Sequence, residues 1–204
     1  MARLSTDAVQ QQREEANAHA KVEQAIKPAE VVKRLRGAKP SHVWGKANAK
    51  VTLAIFQDLA CGQCKRVHRE SFAELTQSFI DTGKLKVEFY EFPLIMGKDV
   101  ARHYGALCAG RQGKYVQFVE KVYENFKEYD VGNQARYAKT VEGLDLAQWD
   151  RCMSKPDSLA FIVKSHKEAG SSIGVDGTPT LFLNGEGVSN FREVLISSVA
   201  KLTQ

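Results

Sequence analysis

Val51-Thr52-Leu53-Ala54-Ile55-Phe56-Gln57-Asp58-Leu59-Ala60-Cys61-Gly62-Gln63-Cys64-Lys65-Arg66-Val67-His68 is an apolar, β-branched run that passes through a polar turn into a Cys-x-x-Cys pair. Beyond the pair the apolar spacing changes. Cys64, His68, Phe72, Leu75 and Phe79 recur at helical intervals, so a strand gives way to a helix that the pair opens. Unpaired backbone N–H groups and the positive end of the dipole at a helix start favour a thiolate over a thiol. Cys61 is thereby placed to be an acidic, exposed nucleophile, and Cys64, one turn further in, to close a two-electron disulfide with it. Gly62 and Gln63 add no charge, so the intervening dipeptide does not fix the direction of electron flow.

Two plainer uses of the pair fit less well. A structural zinc wants a second close pair of ligands, and Cys108 and Cys152 are far apart in sequence. An inert bridge closing so short a loop restricts the unfolded chain little. Redox chemistry is the favoured use, with no cofactor beyond the cysteines. Four cysteines allow three pairings, and joining Cys61 to Cys64 leaves Cys108 with Cys152, as a bridge or as two free buried thiols.

The remainder of the 204 residues can hold one sizeable core with an inserted subdomain. The net charge of +5 is spread along the chain without a dense Lys/Arg block or aromatic platform, which argues against nucleic acid. No apolar run is long enough to span a membrane, and residues 1–36 lack the apolar segment of a signal peptide. Residues 5–27 are polar and Ala-rich and predict a helix ending before Pro28; a second, short one runs from Pro28 to a stop at Gly37. The first buries too little to stand alone, and is either a loosely docked extension or an arm for homo-oligomerisation through residues 1–36.

Lys39–Ala49 reads as a linker or as a short edge strand around His42–Trp44, and it is followed by the first central strand at Val51–Phe56, the Cys-x-x-Cys helix to about Ile80, and a parallel strand at Leu85–Phe92. From about Lys98 to Ala169 every periodic stretch is helical. Apolar faces are formed by Tyr115, Phe118, Val119, Val122 and Phe126, by Leu144, Leu146, Trp149 and Met153, and by Leu159, Ile162, Val163 and His166. The β pattern returns at Thr180–Leu183, turns at Asn184-Gly185, pairs near Gly187–Ser189, and ends in an amphipathic helix bearing Phe191, Val194, Leu195, Val199 and Leu202. The expected organisation is an N-terminal helical extension (1–38), a first α/β half (39–97), a helical insertion (98–172) and a second half (173–204).

Gly177-Thr178-Pro179-Thr180 stands at the head of the late strand, where a proline is a candidate for a cis bond. Joined to the Cys-x-x-Cys, this resembles the thioredoxin fold, in which a cis-proline loop lies against the active-site disulfide. The resemblance narrows to the DsbA-like branch of thiol-disulfide oxidoreductases. It rests on Phe56 to His68, Glu91-Phe92-Pro93-Leu94, Ala106-Leu107-Cys108-Ala109-Gly110 with Gln112-Gly113-Lys114, Leu144-Asp145-Leu146 through Cys152, and Gly174 to Gly185. These span nearly everything from about Pro40 to Leu202.

The resemblance implies a thioredoxin fold with a helical insertion before its C-terminal half, and Cys61 and Cys64 as the catalytic pair. It also implies client contacts from the backbone around Thr178 and Pro179, a structural Cys108–Cys152 bridge, and a bacterial periplasmic or otherwise extracytoplasmic site, the signal having been removed. Its partners would be cysteine-containing client proteins and an unidentified redox protein. The extension is similar in kind to the arms of the suppressor-of-copper-sensitivity disulfide isomerases. Two departures stand out. Gly62 occupies a position where many relatives have proline, and Ile55 the position six before the first cysteine that often holds a buried, proton-shuttling acid. Asp58 and Glu91 are then the nearest candidates for that work, unless they are ordinary surface or turn carboxylates, and His68 is a candidate cation beside Cys64, unless it is a packed or hydrogen-bonded histidine. The alternatives to an oxidase are an oligomeric disulfide isomerase or reductase, and a non-catalytic protein-binding or copper-binding module with Cys61 and Cys64 as soft ligands.

Overall fold

The computed structural model describes residues 26–94 and 100–204. The expected helix over residues 5–27 therefore lies almost wholly outside the described residues. Helix α1 (Pro28–Ala38) starts with proline in its first turn, where the missing N–H costs nothing. It is followed by β1 (His42–Trp44), β2 (Val51–Gln57), α2 (Gly62–Leu75) with a π turn over Thr76–Ile80, and β3 (Leu85–Glu91). The insertion comprises a 3-10 turn (Val100–His103), α3 (Tyr104–Gly110), α4 (Tyr115–Glu124), a second 3-10 turn (Val131–Asn133), α5 (Gln134–Ala138), α6 (Leu146–Met153) and α7 (Pro156–Ser172). Strands β4 (Thr180–Leu183) and β5 (Glu186–Val188) and helix α8 (Arg192–Leu202) complete the described chain.

The five-stranded sheet has the order β1-β3-β2-β4-β5. Strands β2 and β3 run parallel, pairing Val51 with Leu85 through to Gln57 with Glu91, and every other neighbour is antiparallel. Alternation divides the apolar residues between two faces. Ala54, Phe56, Tyr90, Phe92 and Phe182 meet Val31 and Leu35 of α1, with Ile173 and Val175, on one side. Leu53, Ile55, Val87, Phe89, Leu181 and Leu183 meet α2, α8 and the insertion on the other. Residues 28–38 are thus docked on the sheet, and Gly185 allows it. At φ +90° it closes the Asn184-Gly185 turn, and a Cβ there would lie 2.4 Å from the Pro28 carbonyl oxygen.

Several expected apolar faces are narrower than their periodicity suggests. In α8 only Leu195 and Val199 are buried, while Val194, Leu202 and, at the N-cap, Phe191 are exposed, because a helix laid against α2 and the edge strand β5 needs one stripe rather than a broad face. Leu146 is likewise exposed at the start of α6. The π turn inserts a residue and rotates the end of the α2 stripe, so Ile80 is buried and Phe79 only partly so.

Candidate active site

The end of β2 delivers the chain into a turn whose backbone closes with the Cys61 amide donating to the Asp58 carbonyl at 3.0 Å. Cys61 is the N-cap of α2, and its sulfur accepts the Cys64 amide at 3.3 Å. No acidic side chain stands in the first turn of α2 to compete for those amides. The Thr178–Pro179 bond is cis, and this loop sits on the pair: the protonated Cys61 thiol donates to the Thr178 carbonyl at 3.2 Å. Cys61 is consequently more covered than an exposed nucleophile, at 4% exposure.

The two thiols form no disulfide and are joined by a hydrogen bond. Cys64 donates to Cys61, and that bond is the main reason the Cys61 thiol is lowered from 9.0 to about 6. Burial opposes the shift, while the Thr178 hydroxyl and the amides of Cys64 and Gln63 reinforce it. Cys64 is pushed well above the ordinary thiol range, first by burial and then by the bond to Cys61 and the nearness of its charge. One thiolate and one thiol is therefore the resting form of the reduced pair at neutral pH.

Gly62 and Gln63 are exposed, and Gln63 is held by Arg66 at 2.7 Å. His68 is buried against Phe72 with its ring Nε2 donating to the Gln57 side-chain oxygen at 2.8 Å. Burial lowers it to about 3, so it is neutral and not a cation beside Cys64. Cys108 and Cys152 are joined as a disulfide across α3 and α6, in the insertion core. No cluster of three or more His, Cys, Asp or Glu is arranged for a metal among the described residues. No helix among them is long and apolar enough to cross a membrane.

Beneath the pair lies a chain of buried polar side chains. From His68 it passes through Gln57, which donates to the Tyr115 hydroxyl at 2.7 Å, and Tyr115 donates in turn to Glu91. His103 Nδ1 approaches the other Glu91 oxygen at 2.5 Å, and His103 Nε2 lies 3.5 Å from Asp58. Asp58 accepts the amides of Ala60 at 2.8 Å and Leu94 at 3.0 Å. Asp58 and Glu91 are thus buried and paired, not surface carboxylates. Sequence reasoning did not single out His103, Gln57 or the Tyr115 hydroxyl. The available signal was alternation: Leu53, Ile55 and Gln57 share one face of β2, as Val87, Phe89 and Glu91 share one of β3, so two polar side chains end two buried rows.

The thioredoxin family model matches residues 37–195. A Rickettsia bellii protein, named provisionally as a protein-disulfide oxidoreductase, is 23% identical over 153 residues, which are 73% of this chain and 59% of the relative. The chain therefore spans little more than half the length of that relative. The crystal structure of oxidised BdbD from Bacillus subtilis superposes with a TM-score of 0.69 at 20% identity, covering 82% of this chain and 94% of that one. The thiol-disulfide exchange protein alpha-DsbA2 from Wolbachia pipientis gives 0.69 at 20% identity, covering 88% and 99%. At this level of identity the likeness to both structures is one of fold, in agreement with the thioredoxin family match.

Proposed function

The chain belongs to the thioredoxin family, and from that premise we propose that it is a thiol-disulfide oxidoreductase that exchanges disulfides with cysteine-containing client proteins through Cys61 and Cys64. The observation that carries the reading is the split between the two thiols: Cys61 lowered to about 6 and Cys64 raised well above 9.0, under the Thr178–Pro179 loop.

In the oxidising direction a client thiolate attacks Cys61 of the Cys61–Cys64 disulfide. The sulfur–sulfur bond between the two cysteines breaks, a client–Cys61 bond forms, and Cys64 leaves with the electron pair and takes up a proton. A second client thiolate then attacks its own mixed-disulfide sulfur, releasing Cys61 as a thiolate and the client as a disulfide. The client loses two electrons, and the protein holds them as one thiolate and one thiol. The Thr178 carbonyl lies against the Cys61 sulfur, and the backbone of the Thr178–Pro179 loop would contact an extended client segment. Because Cys61 is stabilised as a thiolate, the reduced form is favoured and the couple is poised to oxidise clients. Regeneration requires a redox partner protein that removes those electrons.

The Cys108–Cys152 bridge supports an oxidising, extracytoplasmic compartment as the place of work. Equilibration with defined glutathione ratios tests the direction. A potential near that of the strong oxidants, with rapid oxidation of a reduced peptide, supports the oxidase reading. A strongly reducing potential, with faster refolding of a scrambled-disulfide substrate, makes the protein an isomerase or reductase. Self-association through residues 1–36 belongs to that second outcome, and sedimentation of a chain lacking them, with unchanged mass, removes it.

A further inference from the structure

The His103 ring is fully buried, and each of its nitrogens faces a carboxylate oxygen: Nδ1 meets Glu91 at 2.5 Å and Nε2 meets Asp58 at 3.5 Å. A neutral imidazole would turn a lone pair toward one of those anions. The imidazolium presents an N–H to both. Burial is the largest influence and opposes the charge, but the hydrogen bonds and charges of Asp58 and Glu91 outweigh it and hold His103 up at about 9.

Asp58 is where this cluster meets the thiols. Its side chain grips the amides of Ala60 and Leu94, its carbonyl accepts the Cys61 amide, and its own amide faces the Cys64 sulfur. A displacement of Asp58 therefore moves the partners of both sulfurs together. We propose that His103 is a positioning residue for the thiol pair: carried by the helical insertion, it bridges the carboxylates of Asp58 and Glu91 and so holds the 58–61 turn that sets Cys61 on the start of α2. The insertion is then part of the site and not only a cover over it, since His103, Tyr115 and Tyr123 all come from it. Tyr123 reaches the Asp58 carbonyl at 3.4 Å.

The charge count gives the proposal its test. Two carboxylates and one imidazolium leave a single net negative charge below Cys61. A neutral residue at 103 leaves two buried carboxylates facing each other, which repel and compete for the Ala60 and Leu94 amides. The other groups around His103 do not supply a replacement cation. Tyr115 from α4 is a neutral donor to Glu91, Tyr123 is held protonated chiefly by burial, and His166 from α7 is neutral, accepting the Glu91 amide on Nδ1 and donating from Nε2 to the Lys39 carbonyl.

The proposal rests on the thiol chemistry proposed above, so the readout is the Cys61 titration, followed by thiolate ultraviolet absorbance in the reduced protein rather than by activity. In His103→Gln the apparent Cys61 pKa should rise by about one unit, as expected of an added like charge nearby. Glu91→Gln combined with His103→Gln restores the single negative charge and should return most of that shift, although it removes a second buried contact. A folded His103→Gln protein whose Cys61 titrates as in the parent chain overturns the proposal. So does a double variant shifted as far as the single one, because packing loss alone would then be responsible. Should the single variant not fold, the unaltered protein decides: the His103 ring nitrogen resonances should move when the Cys61–Cys64 disulfide closes, and identical resonances in both redox states overturn the coupling. Failure of the unaltered chain to oxidise a reduced peptide would sink the proposed function and leave these titrations unaffected.

Discussion

The two cysteine pairs of this chain use the same atoms for opposite ends. Cys61 and Cys64 stand at a helix start, where amides and a thiol donor separate their acidities and a backbone loop lies within 3.2 Å. Cys108 and Cys152 sit between two helices of the insertion with Cα atoms 5.6 Å apart and 44 residues between them in sequence. The first pair closes a loop small enough to restrain the unfolded chain only a little, so its proposed worth lies in reactivity. The second lacks a stabilised thiolate and restrains a long loop, so its worth lies in stability. Environment, not residue type, divides the proposed exchange chemistry from architecture.

Removing the reactive pair should have the largest effect on exchange. Cys61→Ser is expected to reduce oxidation of a reduced peptide to the uncatalysed background. Cys64→Ser keeps the attacking position but cannot resolve it, so a client-linked species should accumulate on non-reducing gels. Exchange surviving in Cys61→Ser breaks the contrast, since another sulfur would then be doing the chemistry. Replacing Cys108 and Cys152 together by serine should reverse the pattern. Closing a 44-residue loop is worth about 4 kcal/mol by loop entropy, against about 1.6 kcal/mol for the Cys61–Cys64 loop. Denaturant unfolding should show a loss of that order, with exchange per folded molecule retained.

The split in acidity can be read from the pH dependence of the potential. Cys61 is ionised above about 6 and Cys64 stays protonated well above 9.0. Between those limits reduction takes up one proton for two electrons, and below about 6 it takes up two. The potential should fall by roughly 30 mV per pH unit in the first range and roughly 59 mV in the second. A steeper slope persisting to pH 8 would mean that Cys61 is an ordinary thiol.

Much of this was legible in the sequence. The strand, the helix that the cysteines open and the Thr178-Pro179 loop are local signals, because period and turn chemistry are written over a few residues. The polar floor was not, and the histidines explain why. His68 and His103 are both buried, yet one is lowered to about 3 and the other raised to about 9. One ring faces an amide and the other two carboxylates, and those carboxylates come from different elements separated in sequence. His68 drew notice because it shares a stripe with Cys64. His103 lies in the 3-10 turn that opens the insertion, where no periodicity marks it.

The smallest expected change isolates one oxygen atom. Thr178 acts on Cys61 in two opposite ways: its carbonyl accepts from the protonated thiol and so favours that form, while its hydroxyl supports the thiolate. Thr178→Val keeps the carbonyl and the β-branched shape and deletes only the hydroxyl. The apparent Cys61 pKa should rise by about half a unit to one unit, the scale of one hydrogen bond to a charged group partly offset by relaxation. Thr178→Ser retains the hydroxyl and should titrate as the parent does. The bond from Cys64 outranks that from Thr178, so even the valine variant should keep Cys61 more acidic than a free thiol. If valine instead returned Cys61 to 9.0, the acidity would belong to the loop and not to the helix start, and the contrast between the two cysteine pairs would have to be redrawn around Thr178.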